Sequence, residues 1–166
     1  MQKILIASCL LTLICCQSHK TNLPTSEVRE LIEKDVTKLK KTLKYFEVSE
    51  DKNAEWYKSD KLFYQYLLDG AKKELDKNYI GAIDYYEKAM NITRYEMSSY
   101  EAKLPLGRTY LENGDLLKAK STLNEFIEEA EGELTGDYVE WGLTEEGEKN
   151  LKEEISTCKQ LLGYIK

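Results

Sequence analysis

Residues 104–123 read LPLGRTYLENGDLLKAKSTL, and this stretch decides the fold. Asn113-Gly114-Asp115 is a strong turn signal, with Asp115 placed to cap whatever helix follows. After it, Leu116, Ala119, Leu123, Phe126, Ile127 and Ala130 recur at helical spacing. Before it, Pro105 allows two readings. A helix starts there, where proline is welcome, or a longer helix is kinked there. Gly107 ahead of the turn and Ala119 behind it are small enough for two helices to approach closely. The same pair stands 37 residues earlier as Gly70 and Ala82, and the agreement of both offsets marks an internal repeat.

Working outward, every periodic segment is helical. Ile32, Val36, Leu39, Leu43 and Phe46 recur at steps of 4, 3, 4 and 3, which predicts a helix over 25–48 that packs on the rest of the domain rather than forming a coiled coil. Trp56, Leu62, Phe63, Tyr66, Leu67, Ala71 and Leu75 predict a second helix. Ile80, Ala82, Ile83, Tyr86, Ala89 and Met90 predict a third from about Tyr79. Residues 92–103 show no clear pattern. A loop is expected over 131–143, then a last helix from Thr144 carrying Leu151, Ile155, Cys158 and Leu162 on one face. No stretch alternates as a strand does, so the class is all-α.

Leu106-Gly107-x-x-Tyr110, then Gly114, then Ala119-x-x-x-Leu123 resembles the tetratricopeptide repeat. An earlier copy over 63–96 matches at Tyr66, Gly70, Ala82, Tyr86 and Ala89, and departs at Asp69, Lys73 and Lys77, where Leu, Tyr and Gly are usual. The later copy, 100–133, departs at Lys103 and Phe126 and lacks the closing proline. The 37-residue spacing exceeds the usual period of about 34. The resemblance implies about two stacked helical hairpins, flanked by N- and C-terminal capping helices. Gly70 and Gly107 would face Ala82 and Ala119, with Tyr86 and Tyr110 filling the wedge beside them. It also implies a concave groove that binds a protein or peptide partner, lined by Tyr64, Leu67, Ala71, Glu74, Glu101, Leu104, Arg108 and Leu111, with Glu112 beside them. Tyr64, Arg108 and Glu112 are the expected contacts.

The N-terminus is read separately. Lys3 precedes an uncharged, mostly apolar run, Ile4 to Cys16, which is too short for a stable transmembrane helix and fits a signal peptide. Leu13-Ile14-Cys15-Cys16 resembles a bacterial lipobox. That resemblance implies removal of residues 1–15, lipidation of Cys16 and stable membrane anchoring by its acyl chains. Cys15 stands where a small residue is usual and leaves a second register open, with Cys15 itself as acceptor. Residues 16–24 would form a polar tether and 25–166 the helical domain. Gln17 favours the outer membrane, since it does not supply the Asp that retains some lipoproteins in the inner membrane. Related layouts occur in accessory lipoproteins of outer-membrane β-barrel assembly and of pilus assembly, an analogy of fold only.

Composition limits the rest. A net charge of −6 argues against nucleic acid as a partner, and His19, beside the apolar run, is the single histidine. Histidine-based triads and zinc sites in the body are therefore excluded. No phosphate loop, nucleophile elbow, calcium loop or metal cluster appears, so the chain reads as a non-enzyme without a cofactor or metal. Cys158 reads as a buried small hydrophobe. Charge is uneven: residues 20–94 carry 15 basic and 14 acidic groups, whereas 95–166 carry 8 and 16. Residues 125–148 hold ten acids and no base. That segment is a solvated face or a docking surface for a basic partner, with Glu128, Glu129, Tyr138 and Trp141 as candidate contacts. An alternative function is binding of a small ligand or glycan through Tyr64, Tyr138 and Trp141.

Overall fold

The structure, a computed structural model, describes residues 25–48, 54–92, 99–136 and 143–165. It is an all-α array of helical hairpins: α1 (Thr25–Val48), α2 (Glu55–Leu75), α3 (Tyr79–Met90), α4 (Lys103–Asn113), α5 (Leu116–Thr135) and α6 (Glu145–Gly163), with a 3-10 turn (Ser99–Ala102) leading into α4. Each helix packs on its chain neighbour. The shared core runs from Val28 and Ile32 in α1, through Phe63, Ala82, Leu111 and Phe126, to Ile155 and Cys158 in α6.

The internal repeat is visible bond by bond. At the α2–α3 turn, Lys77 N–H donates to Glu74 O (2.9 Å) and Asn78 N–H to Lys73 O (2.8 Å). At the α4–α5 turn, Gly114 N–H donates to Leu111 O (3.2 Å) and Asp115 N–H to Tyr110 O (2.9 Å). The Asn78 side chain accepts from Gly81 N–H, and Asp115 accepts from Lys118 N–H, so both second helices are capped the same way. Each of these bonds has its counterpart 37 residues on. Gly114 sits at φ 84, and its counterpart Lys77 holds φ 58, a conformation that glycine adopts at far lower cost.

The two glycines make the close approach, but the nearest partner differs from the expected alanine. A Cβ built on Gly70 would lie 2.6 Å from the Tyr86 ring, and one on Gly107 would lie 2.7 Å from the Leu123 side chain. Tyr86 and Leu123 are each one helical turn beyond Ala82 and Ala119, which are themselves fully buried. The longer side chains reach back to the glycine because helical side chains lean toward the N-terminus. Tyr110 instead ties α4 to α3, donating its hydroxyl to Glu87 (2.7 Å).

Pro105 falls in the first turn of α4, where its missing N–H costs nothing, so a helix begins there and is not kinked. The expected loop over 131–143 is shorter: α5 continues to Thr135 because Leu134 extends the apolar stripe, and the helix stops at Gly136, φ 81. Ile80 is 76% exposed rather than core, as is its counterpart Leu117 at 85%. Leu161 takes the buried place expected for Leu162, which is half-buried. Trp56 and Leu62 are also exposed. No helix among the described residues is long and apolar enough to cross a membrane.

The first and last helices approach one another across the array. Lys38 Nζ lies 3.3 Å from Glu154 and Lys34 Nζ lies 3.8 Å from Glu153, joining α1 to α6.

Candidate functional site

Stripes on α1, α2, α4 and α6 converge on a half-enclosed cavity of about 310 Å³. Its apolar lining comes from Leu39, Leu67, Ala71, Leu104, Leu143 and Leu151, with Tyr64 and Pro105 beside them. Four acids, Asp35, Glu101, Glu133 and Glu154, line it together with one base, Lys38. Thr42 and Asn150 add neutral polar groups. Partial desolvation works against the charge on Lys38, but Glu154 outweighs it and holds the ammonium pKa above its ordinary value. The cavity is thus apolar within, and two of its four acids are already paired, Glu154 with Lys38 and Asp35 with Arg108.

Beside the cavity lies a buried ion-pair network. Arg108 Nε donates to Glu74 Oε1 (2.8 Å) and Nη2 to Glu74 Oε2 (2.9 Å), a bidentate pair between α4 and α2. Arg108 Nη1 reaches Asp35 of α1 (2.9 Å), and Tyr86 of α3 donates its hydroxyl to Glu74 Oε2 (2.9 Å). Four helices therefore meet at one guanidinium and one carboxylate. Burial opposes the charge on Arg108, yet Glu74 and Asp35 outweigh it and hold its pKa well above the ordinary value. Burial, then the adjacent Glu74 charge, pushes the Tyr86 phenol well up.

These positions divide the expected groove residues. Tyr64, Leu67, Ala71, Glu101 and Leu104 line the cavity. Glu74, Arg108 and Leu111 do not present themselves to a partner. Arg108 is 1% and Glu74 2% exposed, consumed by each other, and Leu111 is fully buried. The expectation that Arg108 contacts a partner is thereby corrected. Glu112 is half-buried and accepts from Tyr79; its carboxyl pKa is raised by burial and by Glu74. In the acidic segment Glu128 is exposed, while Glu129 and Glu125 both accept from Lys103 of α4 (3.0 and 3.1 Å). Glu131 pairs with Lys159. Much of that acidity is therefore paired within the fold. Tyr138, Trp141, Cys15 and Cys16 lie outside the described residues.

Sequence reading missed the cavity walls from the flanking helices: Asp35, Lys38, Leu39 and Thr42 from α1, and Asn150, Leu151 and Glu154 from α6. Leu39 and Leu151 were visible as stripe residues, but nothing local says that their helices face each other. Cys158 is free and fully buried, and burial first, then Glu154, pushes its thiol up to about 12. No group of His, Cys, Asp or Glu able to hold a metal ion occurs among the described residues. No family model, curated protein or solved structure matches the chain.

Proposed function

We propose that the chain is a membrane-anchored, tetratricopeptide-like interaction module of the bacterial envelope. Its cavity between α1, α2, α4 and α6 seats an apolar side chain next to a basic residue of a partner polypeptide. One observation carries this reading: a cavity whose interior is apolar and whose charged lining is four acids to one base. An apolar side chain gains by leaving water, and a neighbouring lysine or arginine of the partner would share the carboxylates of the lining with the bases that already pair with them. The lipobox resemblance at Cys16 supports the anchor, and the 37-residue repeat of glycine, turn and cap supports the module.

The test is photo-crosslinking from position 104 in native membranes, at low and high salt. The expected product is a polypeptide adduct that weakens as salt rises and disappears in the Glu101→Lys/Glu154→Lys variant with unchanged circular dichroism. An adduct insensitive to both, or no polypeptide adduct, refutes the reading. The cavity volume also lies at the small end of the range for small-molecule pockets, roughly 300–1,000 Å³, and Tyr64 lines it. A small apolar cation is therefore the second reading. It predicts a ligand-induced rise in Tm with no polypeptide adduct.

A further inference from the structure

We infer that Asp35 reads the charge of the cavity's occupant, and that it selects a lysine ammonium of the partner polypeptide over an arginine guanidinium. The inference rests on the cavity reading above and names the chemical group that the lining recognises. Asp35, Glu74 and Arg108 bring two carboxylates to one guanidinium, so one negative charge is left over. Glu74 cannot display it. Its side chain is fully buried, both of its oxygens accept from Arg108, and Oε2 accepts from Tyr86 as well. Asp35 is the member of the set that lines the cavity with an accessible side chain, 39% exposed. Arg108 Nη1 holds its Oδ2 (2.9 Å), while Oδ1 accepts no hydrogen bond among the described residues and is not sealed from solvent. The excess charge is therefore presented at one oxygen of a carboxylate that a buried arginine fixes in place.

The other lining acids are placed differently. Glu154 is matched one for one by Lys38 (3.3 Å), and Glu101 and Glu133 are engaged elsewhere in the chain. Lys38, one turn along α1 from Asp35, is drawn away from it to Glu154 on α6. The geometry also chooses between the two basic side chains. A guanidinium gains most from a carboxylate that offers both oxygens to its planar fork, and Oδ2 of Asp35 is already taken by Arg108. An ammonium is a compact charge that is served by a single acceptor. Its four-carbon stem packs along apolar surface, which Leu39, Leu67, Ala71 and Leu104 supply in the same cavity.

The experiment titrates the full chain with three blocked dipeptides, acetyl-Leu-Lys-amide, acetyl-Leu-Arg-amide and acetyl-Leu-(Nε-acetyl)Lys-amide, and with n-hexylammonium. Binding is read from the methyl resonances of Leu39, Leu67 and Leu104. The lysine peptide should bind about tenfold more tightly than its neutral acetyllysine counterpart, the value of one hydrogen bond to a charged group. It should also bind more tightly than the arginine peptide and than hexylammonium. Asp35→Asn keeps a carbonyl for Arg108 Nη1 and removes the charge. With unchanged circular dichroism, that variant should bind the acetyllysine peptide as before and lose the preference for lysine. A structural role alone would weaken every peptide alike, and that result overturns the assignment. Equal binding of lysine and acetyllysine peptides by the parent chain, or a lysine preference that survives Asp35→Asn, overturns the role of Asp35 and leaves the cavity standing. Tighter binding of the arginine peptide overturns the selection of an ammonium. Hexylammonium binding as tightly as the lysine peptide overturns the polypeptide occupant in favour of a small cation. Leucine methyl resonances unmoved by every probe overturn the cavity reading and the assignment with it.

Discussion

Replacing Arg108 by Met should unfold the domain more readily than any surface change, and removing Glu74 as well should add far less than its own single loss. Arg108 makes two hydrogen bonds to Glu74 and one to Asp35. The Glu74 side chain is fully buried, whereas that of Asp35 is 39% exposed and can turn to water. Arg108→Met therefore strands one carboxylate, at about 3–5 kcal/mol for an uncompensated buried charge. For a domain of this length that lowers Tm by roughly 10 °C. Glu74→Leu strands the guanidinium, which keeps only Asp35, and should cost a similar amount. The double variant leaves no buried charge. Because desolvating two ions offsets most of their attraction, it should lose only what the stranded Tyr86 hydroxyl costs, about 1–3 kcal/mol. Urea unfolding followed by circular dichroism gives the cycle, provided m is unchanged across the four proteins. A single variant losing under about 1 kcal/mol, or a double variant as weak as the sum of the singles, refutes the assignment of a coupled buried pair.

Three further outcomes follow from the same geometry. Gly70→Ala should cost about 1–3 kcal/mol and more than Gly107→Ala, since the Tyr86 ring is held by Glu74 while Leu123 can change rotamer; urea midpoints measure both. Glu112 titrates above its ordinary value because burial and then Glu74 oppose its charge, so its contribution to stability is full at acid pH and is lost as pH rises through the folded pKa. Glu112→Gln should accordingly raise stability slightly at pH 7, by under about 1 kcal/mol after solvent screening, with the gain gone below the ordinary carboxylate range; urea midpoints at the two pH values measure it. Cys158, with its thiol pushed up to about 12, should resist iodoacetamide at pH 8 in the folded protein and react once unfolded in urea, as read by mass spectrometry of its peptide.

Helix positions and the repeat were legible because they rest on local chemistry. The 3.6-residue stripes, Asp115 as a cap and the doubled Gly–Ala spacing all operate within a few turns of chain. The site was legible in part. Tyr64, Leu67, Ala71, Glu101 and Leu104 do line a cavity, but Arg108, expected on its open surface, is buried beside it. A signal for that was present. Leu67, Ala71 and Glu74 share one helical stripe, as do Leu104, Arg108 and Leu111. One acid and one base, each alone on an otherwise apolar stripe, are a pair waiting to be matched. What sequence spacing could not supply is the third partner, Asp35, which lies 73 residues away on a helix whose approach is set by tertiary packing. The same reason hid the α6 wall. Ile80 departs from its expected core place because apolarity alone does not distinguish the buried side of a first turn from its outer side.

The contact between α1 and α6 changes what kind of architecture this is. An open stack of hairpins lengthens by adding another unit at either end, and natural arrays vary in number for that reason. Here the first and last helices also reach each other, through the solvent-exposed pairs Lys38–Glu154 and Lys34–Glu153, the former 116 residues apart in the chain. Such pairs contribute about 0–1 kcal/mol each, so the two ends touch without locking. A unit inserted between them would still separate these partners, and with them the α1 and α6 walls of the cavity.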